Sequence, residues 1–187
     1  PPVKPGFVRV TIPDVGSIDV HESMYIQPTE MTQKVTDSLE NAAILNKNKK
    51  TGFVLMQKDP KQYSRIMVST YTQEDGSSIN EPIAERSELA EIDKIYRQIW
   101  DENGRKIGMK VLSSKPPELL KFNGMNGLKL SYRRQRGNDT PGQVEMYIFS
   151  NRDQMIYLTM SYNESERTIW QPLFEESLRS FRITNIR

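Results

Sequence analysis

Leu128-Lys-Leu-Ser-Tyr132, Val144-Glu-Met-Tyr-Ile148 and Met155-Ile-Tyr-Leu-Thr-Met-Ser-Tyr162, followed by Ser165-Glu-Arg-Thr-Ile-Trp-Gln-Pro-Leu-Phe-Glu-Glu-Ser-Leu-Arg-Ser-Phe181, decide the fold. The first two segments alternate apolar and polar residues, the period of a pleated strand. The third is more continuously apolar and also reads as pleated sheet. In the last, Ile169, Trp170, Leu173, Phe174, Leu178 and Phe181 recur at helical spacing and predict an amphipathic closing helix. Burying such side chains at roughly 1.5–3 kcal/mol each outweighs the helix's intrinsic propensity.

Upstream, Phe7, Val8, Val10 and Ile12 predict a first strand. Pro13 to Gly16 turns it into a second, covering Ile18 to Ile26, as a hairpin. Met31, Val35, Leu39 and Ala42 share one helical face, which predicts a helix near residues 30 to 45 capped by Thr29 or Thr32. Asn46 to Gly52 is polar and reads as an exposed loop. Phe53 to Gln57 and Arg65 to Thr72 read as strands around a turn at Lys58-Asp59-Pro60-Lys61, and Glu74 to Ser78 as a second loop. Leu89, Ile92, Tyr96, Ile99 and Trp100 predict a long helix starting near Asn80 or Ser87, with Pro82 tolerated only in its first turn. Asn103-Gly104 is its expected left-handed stop. Ile107, Met109 and Val111 extend that helix or begin a short strand, and Pro116-Pro117 and Gly124 to Gly127 punctuate the way into the closing unit. Short connections between strands favour antiparallel pairing, with helices covering the sheet.

The 187 residues suffice for one domain, and we expect a tether over 1–6 and a single domain over 7–187. Mean hydropathy is −0.66, but the apolar residues sit in periodic segments, which argues for a folded chain with a polar surface. Twenty-six Lys and Arg against 24 Asp and Glu leave a formal charge of +2, too little to drive nucleic-acid binding. Cysteine is absent, which removes disulfides, thiolate nucleophiles and cysteine-containing zinc sites. No apolar run approaches the roughly 20 residues of a membrane span. Pro1-Pro2-Val3-Lys4-Pro5-Gly6 suits an extended tether below an upstream lipid anchor, and equally an arbitrary sequence boundary.

This order of elements resembles the PsbP-like fold, shared with the Ran-binding Mog family and bacterial DcrB-type lipoproteins. The resemblance rests on Phe7 to Ile12 leading into a hairpin, the long mid-chain helix, Gly124-Met-Asn-Gly-Leu-Lys-Leu-Ser-Tyr132, Val144 to Phe149, Met155 to Tyr162 and the end Ser177-Leu-Arg-Ser-Phe-Arg-Ile183. It implies an α+β protein, an α/β/α sandwich with a mostly antiparallel central sheet. It also implies a non-catalytic accessory or protein-interaction module of the bacterial cell envelope, periplasmic, cell-surface or secreted, whose partner is another protein. The alternatives are a carboxylate-dependent hydrolase or carbohydrate-active enzyme, and a small anionic ligand-binding protein.

No catalytic, cofactor or metal residue stands out. His21 is the only histidine, so a metal site would need carboxylates around it, and a structural or surface role is the simpler reading. Asp101-Glu102-Asn103-Gly104 is too short for a calcium loop, with glycine fourth instead of sixth and Leu112 where the twelfth-position Glu belongs. Serine catalysis has only His21 for a base, and Gly-x-Ser-x-Gly is missing. Gly124-Met-Asn-Gly127 precedes a strand and lacks a following Lys-Ser/Thr, so it reads as a turn and not as a phosphate loop. Glu164, Glu166 and Arg167 fit the macrodipole and local pairing of the last helix. Arg133, Arg134 and Arg136, at a predicted strand end, are the candidate anion or partner contacts, although charged hairpin ends are commonly just solvated. Lys47, Lys49 and Lys50 read as a solvated loop. Most of the tyrosines and tryptophans read as core or half-buried packing in preference to a ligand platform, which leaves function to the other faces and the loops.

Overall fold

The computed structural model describes residues 2–28, 49–72 and 84–184. The helix expected near 30 to 45 and the loop at Glu74 to Ser78 lie outside them. In chain order the elements are β1 (Phe7–Ile12), β2 (Gly16–His21), β3 (Met24–Ile26), β4 (Lys49–Gln57), β5 (Ser64–Thr72), α1 (Leu89–Lys106), β6 (Met109–Phe122), β7 (Met125–Arg136), β8 (Gly142–Asn151), β9 (Gln154–Asn163), α2 (Arg167–Ser180) and β10 (Arg182–Ile183). Single 3-10 turns, Arg86–Glu88 and Glu164–Glu166, precede the two helices.

Seven strands form one sheet in the order β3-β4-β5-β9-β8-β7-β6, and β1-β2-β10 form a second, with antiparallel pairing throughout. The continuous apolar run Met155 to Tyr162 is β9, the fourth of the seven strands, buried on both faces. Along β8, Tyr147 and Phe149 face a core shared with the small sheet and α2, while Met146 and Ile148 face the core under α1. The first core gathers Ile12, Ile18, Leu55, Ile66, Phe149, Leu158, Trp170, Phe174 and Phe181, and the second Trp100, Leu128, Leu130, Ile148 and Tyr157. Helix, sheet and helix are thus stacked as an α+β sandwich, with the small sheet sharing the α2 side. Lys4 bonds Glu176 of α2 at 3.1 Å, so the proline-rich opening runs beside that helix.

Several boundaries depart from the sequence expectations. The second strand, expected to run from Ile18 to Ile26, breaks at Glu22-Ser23 and changes sheets, because Glu22 N–H bonds Gly6 O while Lys58 N–H bonds Ser23 O. Lys49 and Lys50 are not loop but the start of β4, opposite Tyr71 and Thr70. Asn103-Gly104 does not stop α1, which runs on to Lys106; Gly108, at φ 68°, makes the left-handed turn. Gly104 has a different task. A Cβ there would lie 2.4 Å from Met109 O, so glycine lets the returning β6 backbone touch the helix. Pro116-Pro117 lies inside β6 instead of ending it, at a register shift between Lys115 and Glu118 on an edge strand, where a missing N–H breaks no ladder. Ile169, expected on the buried face of α2, is 48% exposed.

Candidate functional site

Adjacent residues of a strand point to opposite faces, and this divides the arginine cluster. Arg133 faces the α2 side and makes a two-armed ion pair with Glu164, with Nη2 donating to Oε2 at 2.7 Å and Nε bonding Oε1. The Arg133 hydrogen bonds hold the Glu164 carboxyl below its ordinary range, against the opposing effect of partial burial. Arg136 is exposed at the end of β7, opposite Met109.

Arg134 points toward the α1 side and is partly buried. Its Nη2 donates to the phenol of Tyr63 at 3.0 Å, and the Tyr63 hydroxyl lies 3.1 Å from Ser161 Oγ. Arg65, 7% exposed, places its guanidinium carbon 5.9 Å from the Tyr63 ring centroid. Burial raises the Tyr63 pKa, but the Arg65 and Arg134 charges and the Ser161 and Arg134 hydrogen bonds outweigh it and lower the phenol to about 8. One tyrosine is therefore expected to ionise near pH 8 in an absorbance titration of the folded chain, and Arg134→Ala to move that step upward. A step that stays put in the variant would show that Arg134 does not set it. Between about pH 8 and 10 the unfolded chain holds a proton that folded Tyr63 has released, so stability rises with pH across that window. The contribution is complete above the unfolded pKa and is lost as pH falls through about 8.

On the other side of the sheet, at the same end of β5 and β9, an open groove of about 360 Å³ lies between the β2–β3 corner, the β4–β5 loop and the first turns of α2. His21, Ser23, Gln57, Lys58, Asp59 and Gln62 supply polar groups, and Ile169, Trp170 and Leu173 supply an apolar wall. Its position follows from the chain path: His21 closes β2 opposite Phe7, the Glu22-Ser23 corner after it brings Ser23 to the β4–β5 loop, and the Glu164–Glu166 turn, whose Glu166 accepts from Tyr63 N–H at 3.2 Å, aims α2 across the loop. Trp170 is 1% exposed, yet its indole N–H has no hydrogen-bond acceptor among the described residues. A buried donor left unpaired costs about 1–3 kcal/mol, and such exceptions call for a reason.

The sequence singled out His21 but gave no hint of this setting, because its neighbours come from positions 57 to 62 and 169 to 173. Ser23 Oγ lies 2.7 Å from His21 Nδ1, but the Ser23 backbone N–H also bonds that nitrogen at 3.3 Å, which marks a local turn two residues long. Paired-carboxylate chemistry needs two acids, and among the described residues Asp59 is the one carboxylate lining the groove. Among the described residues no three His, Asp or Glu side chains converge as metal ligands would, and no helix is long and apolar enough to cross a membrane.

An antiparallel seven-stranded sheet, with α1 on one face and α2 and a small sheet on the other, defines a PsbP-like fold. The chain is similar to the cyanobacterial PsbP (CyanoP) of Synechocystis sp. PCC 6803, with a TM-score of 0.59 at 11% identity over 95% of this chain and 92% of that one. LpqN, involved in cell envelope biogenesis of Mycobacterium tuberculosis, gives a TM-score of 0.46 at 12% identity over 91% of this chain and 86% of its own. PA94 of Pseudomonas aeruginosa, a putative regulator of unknown function, gives 0.44 at 11% identity over 94% and 96%. At 11% identity what the chain shares with CyanoP is the fold. No protein-family model and no curated protein sequence matches the chain.

Proposed function

We propose that the chain is a non-catalytic binding module of the bacterial cell envelope and that its binding site is the groove between the β2–β3 corner, the β4–β5 loop and α2. The observation that carries this is Trp170, a buried indole donor without an acceptor among the described residues, beside an open cavity flanked by an exposed isoleucine. A bound group bearing an acceptor removes that penalty, and the exposed Ile169 gains by being covered. The envelope setting is supported by the resemblance to PsbP-like and DcrB-type proteins, an analogy at the level of fold.

A photo-crosslinking residue at position 169, expressed in the native host, tests the site, with position 95 on α1 as control, since Ile95 is also exposed. A discrete adduct at 169 that is missing at 95 is the expected result. Equal labelling at both positions, no labelling, or reproducible turnover of a small molecule by the purified chain would overturn the reading. Fractionation of the full gene product tests the compartment.

A second reading concerns Arg134, whose guanidinium bonds a phenol and, among the described residues, pairs with no carboxylate. It predicts binding of an acidic partner that weakens with salt and with Arg134→Ala. Affinity that is independent of salt would remove it.

A further inference from the structure

Hydrogen-bond direction in the groove fixes which groups remain to meet a ligand. Gln57 Oε1 accepts from two backbone N–H groups, those of Lys58 at 2.6 Å and Asp59 at 3.5 Å, which orients the side-chain amide. Its NH₂ therefore points the other way, donating to Ser23 Oγ at 3.4 Å and to Gln62 Oε1 at 3.3 Å. Ser23 Oγ, having accepted that bond, gives its own hydrogen to His21 Nδ1 at 2.7 Å, and the Ser23 backbone N–H bonds the same nitrogen. With Nδ1 accepting, the imidazole proton sits on Nε2. With Gln62 Oε1 accepting, the Gln62 NH₂ is what remains. The chain of bonds thus runs outward from the β4–β5 loop and ends in donors: His21 Nε2–H, the Gln62 NH₂ and, across the groove, the unpaired Trp170 Nε1–H.

A site that presents donors and few acceptors selects a ligand by what the ligand lacks as much as by what it has. A carboxylate brings two oxygens with several lone pairs and no hydrogen for the three donors, whereas an amine has to turn to the Asp59 carboxylate, whose Oδ1 already accepts from Lys61 N–H at 2.9 Å. Lys58, whose ammonium donates to Glu22 O at 2.6 Å, balances Asp59, so the groove does not repel an anion. Ile169 and Leu173 form an apolar wall and call for an apolar stem, and about 360 Å³ lies within the usual range for small-ligand pockets. We propose that this groove binds a carboxylate carried on an apolar stem, with His21, Gln62 and Trp170 as head-group donors and Ile169 and Leu173 against the stem. The inference deepens the binding-module reading and rests on it.

The chemistry is shared by free monocarboxylic acids and by peptides that end in an apolar residue, so the test has both arms. With only two tryptophans, the two indole N–H resonances of the 15N-labelled chain are resolvable, and Trp170 reports directly on its own hydrogen bond. Octanoate, or a tetrapeptide ending in leucine with a free carboxylate, is expected to shift the Trp170 indole resonance downfield and leave that of Trp100 in place. Octylamine and the amidated peptide are expected not to. The arm that binds more tightly names the source. His21→Ala and Gln62→Met are each expected to weaken binding about tenfold, the size of a lost bond to a charged group. Gln62→Met serves where His21→Ala fails to fold.

Octylamine binding as well as octanoate would overturn the carboxylate assignment. So would probes that bind without moving Trp170, or millimolar octanoate and free peptide that fail to bind at all. If adducts still form at position 169 in those cases, the groove remains a binding site and only its ligand class falls.

Discussion

Replacing Gly16 by alanine is expected to lower the unfolding free energy by about 3–5 kcal/mol, a large fraction of the stability of an ordinary domain. A Cβ at this position would stand 1.9 Å from Arg182 O and 2.9 Å from Thr184 N, and both obstacles are backbone. Neither can rotate away. Relief requires β10 to move off β2, which breaks the Arg182–Ser17 and Ile183–Gly16 pairings and the bond from Thr184 N–H to Val15 O. Phe181, fully buried, and Ile183, 8% exposed, would be drawn out with the strand. Urea denaturation of the variant beside the parent gives the difference, and a loss below about 1 kcal/mol would show that the terminal strand is an ornament to the core.

The second large effect is expected at Phe149, where truncation to alanine should cost about 3–5 kcal/mol. The ring is wholly buried and packs between Phe122 at 5.4 Å and Phe181 at 5.8 Å, centroid to centroid. These three aromatics come from the edge strand β6, the inner strand β8 and the residue after α2, so removing the central one leaves a cavity bounded by parts that cannot all collapse inward. Phe149→Leu keeps most of the volume and should cost less than about 1.5 kcal/mol. At roughly 2–4 °C per kcal/mol for a chain of this size, thermal melting separates the two variants. Equal melting temperatures would argue against the cavity account.

How far the sequence can be read depends on whether a property is periodic or long-range. The alternation of Leu128, Leu130 and Tyr132 and the spacing of Trp170 and Phe174 report local burial directly, so β7, β8, β9 and α2 are legible, and their order gives the sandwich. The corner at Glu22-Ser23 is not, because Ile18 to Ile26 alternates without interruption while the chain changes sheets. Gly104 looks like a helix stop from its neighbour Asn103, although its glycine is required by Met109 five residues on. Arg133, Arg134 and Arg136 are neighbours in sequence, but the pleat sends Arg133 to one face, where Glu164 occupies it, and Arg134 to the other, where it meets Tyr63, a residue 71 positions away. The groove illustrates the limit most clearly. His21, Gln62 and Trp170 share no motif, and the quantity that links them, the direction of a hydrogen-bond chain, exists only after folding.

The proline pair in β6 carries a consequence for the protein in a crowded setting. An edge strand offers a row of free backbone groups to any other extended chain. Here two consecutive residues in the middle of that row have no N–H, the register slips around them, and exposed Lys110, Lys115 and Lys121 line the same strand. The strand at the opposite edge, β3, is three residues long. Among the described residues, both edges of the seven-stranded sheet are therefore poor templates for the open-ended stacking of copies. Substituting Pro116 and Pro117 by valine would turn that margin into a sticky one, with self-association appearing in light scattering before any loss of fold.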